Sequence, residues 1–163
     1  MTSVLTDLIK SCIRGAETAR EMLVFAIGPS GAGKTRFLKS VADNMGMTYL
    51  SLGGDLARRL VDVPARRRPM ALEAITSEIM DSTSKQICVD HSEILFQKTL
   101  HCDPVRFAMN LSHSRLLLFA MNGTFSDGQL THGYPDHPEY FTADLRGIPV
   151  ITFSDQTPEP HNI

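Results

Sequence analysis

The sequence predicts an α/β fold in which a parallel β-sheet lies between two layers of helices. Apolar segments of strand length alternate with segments of helical periodicity along most of the chain, which is the pattern of such folds. A glycine-rich motif between the first strand and the next helix is typical of P-loop NTPases. The 163 residues suffice for one hydrophobic core. We therefore predict a three-layer P-loop NTPase core of the AAA+/ASCE class, with five core strands and no C-terminal helical lid domain.

The apolar pattern divides the chain into three parts. Residues 1–20 predict an N-terminal helix packed on the core, because apolar residues recur there at helical spacing. Residues 21–153 form the predicted NTPase domain. Residues 154–163 contain two prolines and few apolar side chains, so we expect a flexible tail.

Strands and helices alternate through the predicted domain. Gly53 and Gly54 are expected to end the second strand, and Asp55 and Asp103 to cap the helices that follow them. Another helix is expected after the basic connector 63–69. The predicted strands are 22–27, 47–52, 86–90, 116–121 and 149–153.

The composition excludes several functional classes. A formal net charge of −2 gives no overall attraction for nucleic acid, so DNA contact would need a basic face assembled by oligomerisation. Cys12, Cys88 and Cys102 are widely spaced, which favours reduced thiols. No apolar run approaches the ~18 residues of a membrane span. We expect a cytoplasmic protein that does not contact membranes.

The most specific motif is Gly28–Thr35, which reads G-x-x-x-x-G-K-[ST]. In such loops, backbone N–H groups cradle phosphates, the lysine reaches the β- and γ-phosphates, and the hydroxyl binds Mg²⁺. Lys34 and Thr35 have these roles here, and the expected cofactors are ATP and Mg²⁺. The predicted nucleotide-binding residues are Gly28, Pro29, Ser30, Gly31, Ala32, Gly33, Lys34, Thr35 and Arg36.

A second motif, Ile87–Asp90, fits a Walker B strand. We expect this strand to lie beside the strand of the glycine-rich loop. Placing the second strand, 47–52, between the two motifs gives the topology of NTPases that insert a strand there. An aspartate at the carboxyl end of such a strand holds Mg²⁺, usually through water. Thr35 and Asp90 are therefore the predicted metal residues.

Three alternatives remain open for the general base. Many related ATPases have a glutamate directly after the Walker B aspartate, but this chain has His91 there, and its next acid is Glu93. Glu93 is the preferred candidate and His91 is the second. The third alternative is that neither residue acts efficiently as a base. Slow hydrolysis, or binding without turnover, is consistent with this pattern.

Asn122 follows the fourth strand and is the third predicted catalytic residue, beside Lys34 and Glu93. A polar side chain there acts as sensor 1 in AAA+ ATPases, but Asn122-Gly123 is equally a turn signal. An arginine finger would have to come from a neighbouring copy. The eligible arginines are Arg66, Arg67, Arg68, Arg106, Arg115 and Arg146.

The segment 128–141 contains several side chains that could bind a metal. His132, Asp136, His137 and Glu139 match no zinc spacing, and no cysteine lies near them. We expect this segment to form turns and surface.

Nearly the whole chain, from Leu23 to Phe153, resembles the BrxF family of small P-loop proteins in type III BREX phage-defence systems. Besides Gly28–Thr35, the resemblance depends on short blocks, of which the last two are the most specific. The blocks are Leu50-Ser51-Leu52 with Leu56 and Leu60, Asp90-His91-Ser92-Glu93-Ile94-Leu95-Phe96, Asp103-Pro104, Leu111-Ser112-His113-Ser114-Arg115, Asp127-Gly128-Gln129-Leu130-Thr131 and His137-Pro138-Glu139-Tyr140.

The resemblance implies a cytoplasmic, ATPase-like component that acts with a large ATPase, a methyltransferase and a phosphatase-like protein of BREX systems. It also implies an Asp-x-x-Glu-x-Leu-Phe segment, which makes Glu93 a family feature. The fourth strand departs from the family, because it ends in Met121-Asn122-Gly123 where a Trp-Pro-Gly-like end is expected.

The sequence thus favours an ATP-binding, AAA+-like component of an anti-phage complex that forms homo-oligomers. Its ATPase activity would be slow or stimulated by partners, and its nucleotide state would control oligomerisation or partner binding. Two alternatives stay open: a non-catalytic, nucleotide-dependent scaffold and a small P-loop kinase. The glycine-rich motif fits both, although no Arg-rich lid segment or acceptor-binding signature accompanies it.

Overall fold

The computed structural model describes residues 3–154 and 157–162 and has helices on both faces of a mostly parallel sheet. The helices are α1 Ser3–Ala16, α2 Lys34–Met45, α3 Leu52–Val61, α4 Arg68–Asp81 and α5 Pro104–Leu111, and three short 3₁₀ helices are Ala65–Arg67, Glu93–Phe96 and Lys98–Leu100. The strands are β1 Leu23–Gly28, β2 Thr48–Ser51, β3 Gln86–Asp90, β4 Leu116–Asn122, β5 Thr124–Ser126, β6 Gln129–His132, β7 Phe141–Asp144, β8 Val150–Ser154 and β9 Thr157–His161. The predicted α/β class and all five predicted core strands are confirmed.

The strand order of the main sheet is β2-β3-β4-β1-β8-β9. The first five strands are parallel, and β9 is antiparallel to β8. Our expectation that β3 lies beside β1 was wrong, because β4 separates them, and β2 lies at the edge instead of between the two motifs. Burial explains this order. Residues 116–121 of β4 are all buried, as a central strand requires, whereas β2 exposes Ser51.

Two apolar clusters cover opposite faces of the sheet. One is formed with α1 and α2, and includes Ile13 and Leu38. The other is formed with α3, α4 and α5, and includes Leu56 and Met80. Successive residues of β1 alternate between the two clusters, although every residue of that strand is buried. This arrangement explains why the strands are continuous apolar runs rather than alternating ones.

Helix α3 begins directly at the end of β2. Gly53 and Gly54 were predicted to end the strand and Asp55 to cap the helix, but all three lie within the helix. Close contact explains the glycine at position 53, since a Cβ atom there would lie 2.7 Å from the carbonyl oxygen of His91. The first turn of α3 is thereby held against the turn that follows β3.

Two further parts of the chain differ from the expectations. Thr157–His161 form β9 instead of part of a flexible tail, and pair with β8 from Val150↔His161 to Ser154↔Thr157. Residues 155, 156 and 163 of that predicted tail lie outside the described residues. The segment 128–141 was expected to form turns and surface, but residues 124–144 contain the antiparallel sheet β5-β6-β7. Its first hairpin turns at Asp127-Gly128, where both φ angles are positive, as in a type I′ two-residue turn.

Candidate functional site

A cleft of about 340 Å³ opens at the carboxyl ends of β1, β3 and β4. In parallel α/β sheets, ligands bind at this edge. All the predicted catalytic and metal residues line the cleft, together with part of the predicted nucleotide-binding set. The lining residues are Ser30, Gly31, Gly33, Lys34, Thr35, Arg36, Asp90, His91, Glu93 and Asn122. Gly28, Pro29 and Ala32 belong to the same loop but do not line the cleft.

The glycine-rich loop, residues 28–33, joins the end of β1 to the first residue of α2. Gly31 and Gly33 have φ angles of 82° and 99°, a conformation that strains any other residue. Close packing, and not the φ angle, disfavours a side chain at Gly28, because a Cβ atom there would lie 3.0 Å from the Cβ atom of Phe153. The loop thus brings the positive end of the α2 dipole to the cleft, which favours an anion there.

Lys34 folds back over the loop from the first position of α2. Its Nζ atom donates hydrogen bonds to the carbonyl oxygens of Gly28, at 2.7 Å, and Pro29, at 2.8 Å. Only 7% of the residue is exposed. Burial lowers the pKa of the ammonium group, although Asp90 and Glu93 act in the opposite direction. An anion in the cleft would offset the cost of burying this cation.

Thr35 and Asp90 connect the two sequence motifs. The Thr35 hydroxyl donates a hydrogen bond of 2.6 Å to Oδ2 of Asp90. The hydroxyl of Tyr49 donates to the same oxygen at 2.7 Å, and the backbone N–H of His91 donates to Oδ1 at 2.9 Å. Burial raises the pKa of Asp90, but these hydrogen bonds outweigh it and hold the pKa below its ordinary value.

The donor set at this point suits a hard divalent cation. A hydroxyl oxygen and an ionised carboxylate within hydrogen-bond distance are the ligands that Mg²⁺ uses when it keeps several waters. Among residues 3–154 and 157–162, no group of three or more His, Cys, Asp or Glu side chains could hold a metal ion. Any Mg²⁺ site here would therefore depend on water and on a ligand in the cleft.

Glu93 and Asn122 contact each other across the cleft. Nδ2 of Asn122 donates a hydrogen bond of 3.0 Å to Oε1 of Glu93. Asn122 is opposite Gly28 in the β1–β4 pairing, so the two strands end level with each other. The chain bends directly after Asp90, because His91 has a φ angle of 55° and a 3₁₀ helix begins at Glu93.

His91, the second base candidate, has its Nδ1 atom 2.8 Å from Oγ of Ser51 at the end of β2. Its side chain is 50% exposed. Both base candidates therefore line the cleft, but each is already hydrogen-bonded.

The structure separates the six arginines that were eligible as fingers. Arg115 is buried and donates hydrogen bonds to the backbone carbonyl of Leu111 and to the carboxylate of Asp81. Arg68 donates hydrogen bonds to two backbone carbonyls, so both arginines stabilise the fold. The other four are exposed, and Arg146 is paired with Asp144. Arg66, Arg67 and Arg106 remain available to a second copy.

A second cavity, of about 390 Å³, lies away from the cleft between α1 and the turn before β8. It is slightly larger than the cleft, but its lining is mostly apolar and includes none of the predicted site residues. The polar and charged side chains of the smaller cleft therefore make it the candidate functional site.

No helix among the described residues is long and apolar enough to cross a membrane.

The contacts of Tyr49, Ser92 and His132 around the cleft were not predicted from the sequence, where His132 was considered only as a possible metal ligand. Ser92 is 2% exposed and donates a 2.6 Å hydrogen bond to the carbonyl of Ala120, which ties the turn after β3 to β4. His132 approaches the backbone of Asn122 from β6. Tyr49 could have been found as a phenol on the strand that pairs with the strand of Asp90. The sequence alone does not show that these two strands pair.

No family model matches this chain, and no curated protein or solved structure matches it.

Proposed function

We propose that this protein binds ATP·Mg²⁺ in the cleft and hydrolyses it slowly, or when stimulated by partners, as an AAA+-like component of a BREX anti-phage defence complex. Its nucleotide state would control oligomerisation or partner binding. The molecular activity is supported by the cleft, whereas the assignment to phage defence depends on the family resemblance alone. A large ATPase, a methyltransferase and a phosphatase-like protein are the partners that this resemblance suggests.

The single observation that carries the ATP proposal is the hydrogen bond between Thr35 and Asp90. These residues are 55 positions apart and were predicted, from two separate motifs, to share one Mg²⁺ ion. A chance glycine-rich turn would have no reason to place its threonine 2.6 Å from a buried carboxylate at the end of another strand. Bound Mg²⁺ would supply charge neutralisation for the phosphates.

Strand order adds independent support for a P-loop NTPase core. The ASCE class inserts one strand between the strand of the phosphate loop and the Walker B strand. Here β4 lies between β1 and β3 and brings Asn122 to the end of the inserted strand. In this proposal Asn122 senses the γ-phosphate, Lys34 binds phosphate oxygens, and Glu93 orients the attacking water.

A non-catalytic scaffold is the second candidate, and one observation favours it. Oε1 of Glu93 accepts a hydrogen bond from Asn122, and His91 is bonded to Ser51, so both candidates for the base are engaged. If these contacts persist with nucleotide bound, ATP would be held without turnover.

Multiple-turnover ATPase assays test the proposal. We expect wild-type turnover to exceed that of Lys34→Ala and of Glu93→Gln by about a hundredfold, as removal of a group that stabilises the transition state usually does. Lys98→Ala, which changes an exposed lysine outside the cleft, is the matched control. Assays run alone and with candidate partners should agree on this order. A wild-type rate equal to that of Lys34→Ala under all conditions would refute hydrolysis, and ADP formation only with an added phosphate acceptor would indicate a kinase.

A further inference from the structure

His132 lies at the junction between the small sheet and the cleft. It is the last residue of β6, and its side chain is 13% exposed. Its Nδ1 atom lies 2.6 Å from the backbone oxygen of Asn122. A carbonyl oxygen only accepts hydrogen bonds, so Nδ1 carries the proton and donates it. The ring therefore holds the backbone of the residue whose side chain bonds to Glu93.

The same ring also contacts the segment that carries Glu93. It stacks on Phe96 with a centroid distance of 3.7 Å and an interplanar angle of 16°. Phe96 is buried and ends the 3₁₀ helix that begins at Glu93. The imidazole ring thus contacts the segments of both partners in the Glu93–Asn122 hydrogen bond. It is hydrogen-bonded to the backbone of Asn122, and it stacks on Phe96 in the 3₁₀ helix of Glu93.

The small sheet is packed closely enough to hold this ring in place. Leu130 of β6 is completely buried, and Phe141 of β7 packs edge-on against Phe96. At Gly123, directly after Asn122, a Cβ atom would lie 2.5 Å from the carbonyl oxygen of Thr131. Only glycine permits this approach, so the backbone of β6 and the end of β4 are in direct contact.

We infer that His132 is a positioning residue for the Glu93–Asn122 pair, and that the small sheet serves to hold it against the cleft. This inference rests on the proposed function for its catalytic meaning, but its geometric content stands alone. A histidine present only to fill space would not need its donor on the carbonyl of a strand end. The polar contact with Asn122 therefore distinguishes positioning from simple packing, and the stacking on Phe96 orients the ring that makes this contact.

Two substitutions separate the donor from the ring. His132→Phe keeps an aromatic ring against Phe96 but leaves the carbonyl of Asn122 without its donor. His132→Asn keeps a donor near the position of Nδ1 but removes the ring. A positioning role predicts that the asparagine variant resembles the wild type, whereas a purely structural role predicts that the phenylalanine variant does.

The decisive readout is the side-chain amide signal of Asn122 in the NMR spectrum of the nucleotide-free protein, assigned by its loss in Asn122→Ala. We expect the signal to move in Glu93→Gln and in His132→Phe, and to stay near its wild-type position in His132→Asn. His113→Asn, at an exposed histidine outside the cleft that lies near Glu21, is the control and should leave the signal in place. His132→Leu is a second donor-free variant if His132→Phe does not fold.

Turnover gives the second readout. His132→Phe should lower kcat about tenfold with KM little changed, since small misplacements of catalytic groups reduce the rate more than binding, and His132→Asn should recover most of the rate. An Asn122 signal displaced equally in both variants, or more in His132→Asn, overturns the inference. The NMR result holds whether or not ATP is hydrolysed, so failure of the proposed function and failure of this inference are distinguishable.

Discussion

Asp90 is the residue whose environment best explains the chemistry of the cleft. It is 3% exposed, yet it accepts hydrogen bonds from two hydroxyl groups and one backbone N–H. These donors favour the ionised carboxylate, so at neutral pH the cleft contains a negative charge near the buried ammonium group of Lys34. A divalent cation would complete this arrangement, because it would balance Asp90 and the phosphates together.

The contribution of Tyr49 to Asp90 can be tested by pH-dependent unfolding. The folded-state pKa of Asp90 lies below its ordinary value, so this group adds stability above its unfolded pKa and loses it as the pH falls through the folded pKa. Tyr49→Phe removes one donor. We expect the free energy of unfolding at pH 7 to fall by about 1–2 kcal/mol, and the deficit to shrink as Asp90 becomes protonated.

Urea unfolding at several pH values measures this effect. Tyr134→Phe, at a 62% exposed tyrosine outside the cleft, is the control and should change stability little. A deficit that is constant from neutral to acid pH would show that Tyr49 acts by packing and not through the Asp90 carboxylate.

Individual site residues were predictable to the extent that their signals are local. Lys34, Thr35 and Asp90 were predicted from short motifs to lie at one site, because phosphate and Mg²⁺ binding uses those residue types at the start of a helix and the end of a strand. Tyr49 and His132 were missed because their roles depend on which strands lie side by side. No spacing within a single segment contains that information.

Among the elements, helix α3 shows how a short contact determines local sequence. Gly53 and Gly54 both lie in its first turn, but they have different surroundings. A Cβ atom at 53 would collide with backbone, whereas a Cβ atom at 54 would meet only Nη1 of Arg58, at 3.7 Å. Only the first glycine is therefore required by packing.

Paired alanine substitutions test this reading. Gly53→Ala should destabilise the fold by about 1–3 kcal/mol, as overpacking does. Gly54→Ala should be neutral or stabilising by up to about 1 kcal/mol, because alanine favours the helix. Thermal or urea unfolding of both variants gives the comparison. Equal effects in the two variants would mean that α3 does not press against the turn at His91.

Element prediction succeeded where periodicity is strong and failed where it is weak. The five parallel strands of the main sheet were found because helices cover both faces of the sheet, which makes most of these strands apolar. The sixth strand, β9, was missed because it contains two prolines and few apolar residues. The small sheet was missed because β5, β6 and β7 are three or four residues long and only one of their residues, Leu130, is buried. The hairpin turn at Asp127-Gly128 was its clearest signal.

The whole molecule offers a small cleft at one sheet edge and several unpaired arginines elsewhere on its surface. Arg66 and Arg67 are exposed on a 3₁₀ turn, and no ion pair or hydrogen bond of their side chains is found among residues 3–154 and 157–162. In the proposed function, such an arginine from a second copy would approach the nucleotide.

The strand order of the sheet could not be predicted from the sequence, since it is set by which strands bury both faces.

Nucleotide-dependent assembly follows from this proposal. We expect light scattering to report a larger mass with ATP or a non-hydrolysable analogue than with ADP, because only a triphosphate presents a γ-phosphate to a neighbouring copy. Lys34→Ala should give the same mass in all three conditions. An unchanged wild-type mass with every nucleotide would contradict control of oligomerisation.

Binding of ATP·Mg²⁺ by the cleft is the central claim, and titration calorimetry tests it most directly. The account predicts one site per chain in the wild type and in Lys98→Ala, with affinity lower by about tenfold to a hundredfold in Lys34→Ala, because a charged hydrogen-bond donor is lost. Equal affinity in Lys34→Ala and the wild type, or no binding by the wild type, would contradict it.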